Sequence, residues 1–371
     1  MASDQATKSY VPFAEATKVE RLDAHTYKVH LDERFCIGTV PNGGYTSSCL
    51  LAAARVHLAP RNQPDTLAAH FEYPNRAAVG PAIVAVDEVK LGRQLSTLHL
   101  TLWQGDGGGH GLLPVAPWVD PRAGARRVVL AYSTHANLRS LAGISLPTGY
   151  EEGSANAMPP APGFVAGQGS GGDAEWVESK MPAGATAGYA RSLDNWRFFV
   201  HRDAPLVPGV LDVWMRLASG ERIAQAALPY VVDSFPWDMH VFLVARAVRG
   251  LFEAVPKEEK KRSRGKGVVV EGGQEEKEKE KEKGDNFSLW LPTVVMNLEV
   301  KAALPEEGVE WLAVRITSKQ IKDGRFDLEV IVRDVEGELV ALGQQVALIV
   351  ERARNMAGRG GEEDGGSSSK L

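Results

Sequence analysis

Long apolar runs, cysteine and a surplus of either charge are what this 371-residue chain has least of, and each shortage removes a class of protein. No stretch approaches the roughly 18 consecutive apolar residues of a membrane-spanning helix. The N-terminal MASDQATKSYVPF lacks the apolar segment of a signal peptide, so the chain reads as soluble and intracellular. Only Cys36 and Cys49 occur, with no His or second Cys at ligand spacing. That argues against a disulfide framework or a zinc site; both read as buried small hydrophobes, and no metal or cofactor is implied. Lys and Arg total 42 against 47 Asp and Glu, a net charge of -5 with no basic stripe. Nucleic acid is therefore not an expected partner, and any attraction to an anionic ligand must be local. Also missing are a GxSxG elbow, a GxGxxG turn after a strand and a Walker A loop. The Gly-rich GDGGGHGLL at 105–113 lacks a strand-to-helix setting and reads as a surface loop.

What is present is a 44% apolar composition and enough length for two domains, each with its own core. Three segments read as structureless: 139–190, rich in Gly, Pro, Ala and Ser; 257–285, a Lys/Glu run without an apolar stripe; and the tail 355–371. Between them one order of elements occurs twice. The first copy, 20–138, has a helix over 44–58 and then the strand-like TLAAHFEYP, AIVAVDEVKL, STLHLTLWQ and RRVVLAYSTHANL. The second, 191–354, has NWRFFVHR and GVLDVWMRL, a helix over about 222–233, then LWLPTVVMNLEV, EWLAVRITSKQI, RFDLEVIVRDV and ELVALGQQVALIVE. Pro229 falls inside that second helix, which predicts a kink. A helix wrapped by a long antiparallel sheet, made twice, is the α+β fold called a double hotdog.

At this point the chain resembles a family. PNGGYTS (41–47), HFEYP (70–74), YVVDSFPW (230–237), LPTVVMNLEV (291–300) and VALGQQV (340–346) look like the acyl-CoA thioesterase II (TesB-like) family, in particular its fungal thioesterase-like branch. The resemblance implies hydrolysis of fatty acyl-CoA to a fatty acid and CoA, without a covalent nucleophile or cofactor. Carried over by motif, it implies that Asp233, Thr293 and Gln345, or Gln344 one residue out of register, hold and activate a water. Counting from Val340 in the family pattern favours Gln345. The chemistry asks for such groups, because a thioester carbonyl is electrophilic enough that water needs only positioning and partial deprotonation. Burial would raise the carboxylate's pKa toward neutrality.

Each residue also has a plainer reading. An Asp at a helix end can simply cap or solvate it, and Thr293 and Gln345 alone are ordinary strand residues. Gly43, Gly44 and Tyr45 read equally as a turn into a helix or as backbone amides that meet the substrate's oxyanion. His70 is a substrate-contact candidate or a satisfied His, and Tyr73 faces the other side of its strand. Laid on the first copy, the place of Asp233 falls near His57 and that of Gln345 near His135, with no carboxylate at either; the first copy would form a wall of the acyl tunnel. Two other readings remain, an acyl-CoA-binding module without activity and a hotdog hydratase or dehydratase. The final Ser369, Lys370 and Leu371 match the tripeptide read by the peroxisomal import receptor, which predicts a peroxisomal matrix protein. A homo-oligomer is compatible with the sequence.

Overall fold

The computed structural model describes residues 10–106, 110–146, 148, 150, 158–166, 173–179, 188–236 and 289–356. In the first half, β1 (Thr26–Leu31) leads to helix α1 (Gly43–Leu58), followed by β2 (Asp65–Glu72), β3 (Gly80–Leu91), β4 (Ser96–Gln104) and β5 (Arg126–Ala136). In the second, β6 (Trp176–Ser179) and β7 (Trp196–His201) precede β8 (Val210–Leu217), helix α2 (Leu228–Val232), β9 (Thr293–Val300), β10 (Leu312–Thr317), β11 (Arg325–Arg333) and β12 (Leu339–Leu348). These strands form one sheet in the order β1-β3-β4-β5-β2-β9-β12-β11-β10-β8-β7-β6, with the short strand Glu20–Arg21 outside β1. Outward from the centre, β2-β5-β4-β3-β1 and β9-β12-β11-β10-β8 have the same topology. The double hotdog expected from the repeated order is the observed fold.

The copies join through β2 and β9, which pair antiparallel with Phe71 opposite Met296 and His70 opposite Asn297. Alternation along a strand sends Phe71 and Met296 into the core, both fully buried, and turns His70 and Asn297 to the outer face. Helix α1 starts where the Asn42 side chain accepts a hydrogen bond from the Tyr45 amide at 2.9 Å. Because the sheet wraps it, α1 buries most of its circumference, including Tyr45, Cys49, Leu50, Ala53, Ala54 and Leu58. The hydroxyls buried with them bond inward, Thr46 to the Gly43 carbonyl and Ser48 to that of Gly44. Cys36 and Cys49 are free and fully buried, as expected.

The second helix departs from expectation. A 3-10 turn, Gln225–Ala227, leads into α2, and Pro229 stands in its first turn. An amide missing there costs no helical hydrogen bond, so Pro229 starts the helix instead of kinking it. The segment expected as a linker over 139–190 is also partly structured. It supplies β6, paired with β7, and a 3-10 turn at Gly163–Ala166. The physical reason is an aromatic patch: Phe199, Trp214 and Trp311 face away from the helices, and Phe164 and Trp176 cover them in a second small core. Residues 355 and 356, expected to open the tail, instead close the helix Arg352–Met356, in which Asn355 is completely buried. That side chain donates to the Ile37 carbonyl and accepts from the Thr39 amide, tying the end of the second half to the first. The expected insertion at 257–285 lies outside the described residues, as do the last fifteen residues. Among the described residues no helix is long and apolar enough to cross a membrane.

Candidate active site

Asp233 is the residue at which α2 ends, and its position is unusual for a carboxylate. At the C-terminus of its own helix it meets the negative end of that dipole, yet the side chain points at the N-terminus of α1, where negative charge is favoured. Its Oδ2 accepts from the Gly44 amide at 2.7 Å, and its Oδ1 from the Thr293 hydroxyl at 3.0 Å. Asn42, besides capping α1, donates through Nδ2 to the Asp233 carbonyl at 3.0 Å. The carboxyl group is buried, and desolvation lifts its pKa from 3.8 to about 6. Hydrogen bonds from Gly44, Thr293, Asn42 and Gly43 limit the rise by favouring the charged form.

Gln345 completes the cluster from the neighbouring strand. Its Nε2 donates to the Val232 carbonyl at 2.6 Å, satisfying an acceptor that the end of α2 leaves open. That bond turns Oε1 toward Thr293, whose hydroxyl lies 3.4 Å away. Gln345 is buried and Gln344 exposed, as strand alternation requires, so Gln345 is the glutamine on the inner face. The structure thus brings Asp233, Thr293 and Gln345 together at direct hydrogen-bond range. They span both sides of the segment 237–288 that is not described.

The glycines are explained by crowding. A Cβ on Gly44 would stand 2.3 Å from the Pro229 carbonyl oxygen and 2.7 Å from the Asp233 Cβ. Only glycine lets α1 approach α2 so closely. A Cβ on Gly43 would meet Asp233 Oδ2 at 3.1 Å and the Tyr73 ring at 3.3 Å. The Gly44 amide, considered above as an oxyanion donor, is engaged by the Asp233 carboxylate and holds that group in place.

Tyr45 and His70 do not belong to this cluster. The Tyr45 hydroxyl donates to the Ala16 carbonyl and accepts from the Asp32 amide, and its ring stacks on Phe35 in the core. His70 sits on the outer face against Asn297 and Glu72, on the far side of the sheet from Asp233. Two residues that the sequence reading did not select do belong. Tyr73 lies beside Asp233, with its hydroxyl 2.7 Å from Ser47 Oγ, and burial pushes its phenol pKa well up. Asn42 joins α1 to α2. Both stand in quoted motifs, PNGGYTS and HFEYP, and the Asn before a Gly-Gly helix start was the available signal.

The first copy lacks this set. Both sheets carry a bulge at matching places, between Thr66 and Ala68 in β2 and between Thr293 and Val295 in β9. Superposing the bulges sets Thr66 on Thr293, and their ladder partners His135 and Ala347 on each other. Gln345 therefore corresponds to Ser133, two residues from the expected His135 and on the same face. His135 is fully buried beside Ser133, and desolvation lowers its pKa to about 4, which keeps it neutral.

Comparison with known proteins gives the family and the fold. The acyl-CoA thioesterase N-terminal domain pattern matches residues 31–117, and the acyl-CoA thioesterase C-terminal domain pattern matches residues 168–349. A thioesterase-like protein of Talaromyces wortmannii, TwmA, is 56% identical over 371 residues, covering 100% of both chains. Among solved structures, a hot dog protein of unknown function from Alicyclobacillus acidocaldarius is similar in fold, with a TM-score of 0.58 and 18% identity. The match covers 91% of this chain and 97% of that one. The acyl-CoA thioesterase II TesB2 of Mycobacterium marinum gives a TM-score of 0.53 at 16% identity, covering 92% and 98%.

Proposed function

The chain belongs to the acyl-CoA thioesterase family and is a thioester hydrolase, and from that premise we propose that it cleaves fatty acyl-CoA with a water held by Asp233, Thr293 and Gln345. The observation that carries the reading is the convergence of a buried carboxylate with a raised pKa, a hydroxyl and an amide oxygen, the carboxylate held on its other side by the Gly44 amide and the glutamine by the Val232 carbonyl. Asp233 acts as general base. With a pKa near 6 it is ionised at neutral pH yet basic enough to accept a proton from water as the water attacks. Thr293 and Gln345 Oε1 orient that water, so that its oxygen faces the thioester carbon. The tetrahedral intermediate expels CoA as the thiolate and leaves the carboxylic acid, and the proton on Asp233 passes to the thiolate or to solvent. The positive end of α1, already aimed at Asp233, stabilises the negative charge that collects in this corner.

The test is CoA release from acyl-CoAs of graded length by the wild type and Asp233→Asn. Removing a general base is expected to lower kcat by about 10²–10⁴-fold. Turnover unchanged in the variant would refute the assignment, and no turnover in the wild type would favour an acyl-CoA-binding module.

Peroxisomal location is proposed from Ser369, Lys370 and Leu371 alone, which lie outside the described residues. A fluorescently tagged chain lacking these three residues is expected in the cytosol, against punctate signal for the full chain. Punctate signal from both would refute it.

A further inference from the structure

Three side chains distant in sequence meet at the other end of the first hotdog. His25 precedes β1, His57 lies in the last turn of α1, and Glu88 stands on β3 where its register with β4 shifts. Their candidate ligand atoms all lie within 4.8 Å of one another. His57 Nε2 is 2.8 Å from Glu88 Oε1, and His25 Nδ1 is 4.0 Å from the same oxygen. We propose that His25, His57 and Glu88 form a binding site for a divalent transition metal of the Zn²⁺ class.

The donor set is two imidazoles and one carboxylate, which suits Zn²⁺ and leaves a fourth position for water. Ligand atoms around a tetrahedral ion with bonds of about 2.0–2.1 Å stand about 3.4 Å apart. The observed separations bracket that value. The adjustment falls to His25, whose side chain is 53% exposed and free to turn, whereas His57 at 5% is fixed. His57 is also oriented for the task, because its Nδ1 is 3.2 Å from the Tyr27 hydroxyl. A second partner on the remote nitrogen sets the ring plane and the tautomer of a metal-bound histidine. No local spacing motif announces the site, since the fold alone gathers its residues. It is separate from Asp233: His57 lies in the last turn of α1, and the catalytic cluster is at the first.

The experiment uses full-length, untagged protein stripped with a chelator and titrated with Co²⁺, whose visible absorption reports a tetrahedral nitrogen–oxygen site. The expected result is one Co²⁺ per chain with a Kd of about 10 μM or tighter, displaced by Zn²⁺. His25→Ala, at an exposed position, and Glu88→Gln are each expected to weaken binding at least about tenfold, with CoA release by the metal-free protein unchanged. Tyr27→Phe, which leaves all three ligands in place, is expected to weaken it by about tenfold through the loss of the orienting hydroxyl. Absence of saturable Co²⁺ binding in the wild type would overturn the proposal. So would undiminished binding in both His25→Ala and Glu88→Gln, which would place the metal elsewhere.

Discussion

At the scale of single residues, burying Asp233 raises its pKa at a cost in stability. Folding raises its pKa from 3.8 to about 6, so the folded state binds a proton more tightly than the unfolded chain. The stability associated with the neutral carboxyl is fully present below about pH 4 and is lost as pH rises through 6. A shift of this size corresponds to roughly 2–3 kcal/mol. Asp233→Asn can place its amide oxygen toward the Gly44 amide and its NH₂ toward the Thr293 hydroxyl, with no charge to bury. The variant is therefore expected to melt higher than the wild type at pH 8, with the difference shrinking toward pH 4, while its turnover collapses. Wild-type kcat/KM should rise with pH and level off above about 6. An Asn variant less stable at pH 8, or a pH profile flat from 5 to 7, would show that the carboxylate is not held as described. The proximity of Asp233, Thr293 and Gln345 was legible in the sequence through motifs that resemble a family; that pattern favoured Gln345 over Gln344, and the structure puts Gln345 on the buried face. Tyr73 and Asn42 were not legible, because a tyrosine beyond a strand and an asparagine before a helix acquire a role only when another element arrives beside them.

At the scale of elements, residues 158–166 and 173–179 show how composition misleads. A stretch rich in Gly and Pro reads as a linker, but β8 and β7 present Trp214 and Phe199, and the residue before β10 presents Trp311, in a cluster apart from the main core. Exposed aromatics of that size need cover, and Phe164 and Trp176 supply it. Trp176→Ala is expected to cost about 3–5 kcal/mol, since its side chain is fully buried. Equilibrium urea unfolding measures this; a loss below about 1 kcal/mol would mean the strap is dispensable. The position of Pro229 follows similar logic. Periodicity placed it mid-helix, but the backbone begins α2 at Leu228, where proline's fixed φ is suited to a first turn.

At the scale of the whole molecule, the duplicated sheets form one structure. A single apolar core runs from Phe13 through α1 and α2 to Ala347, and β2 pairs with β9 across the join. The site itself is shared, with Gly44 and Asn42 supplied by the first copy and Asp233, Thr293 and Gln345 by the second. Residues 191–371 expressed alone would expose the edge of β9 and leave Asp233 without its amide partner. Such a fragment is expected to aggregate and lack hydrolase activity, and coexpression with residues 1–190 to restore both solubility and CoA release. A soluble, active fragment would contradict a shared site.

What the chain's sequence determined alone was whatever depends on local pattern: strand alternation, the repeated order of elements and the motifs whose family resemblance pointed to Asp233, Thr293 and Gln345. Tertiary structure decided what depends on partners brought from afar. It turned Tyr45 into core and His70 to the outer face, assigned the Gly44 amide to the carboxylate, and gathered His25, His57 and Glu88. The division has one physical cause. Periodicity records which face of an element is buried, but a hydrogen bond or ligand set between distant elements exists only once the sheet has closed around its helices.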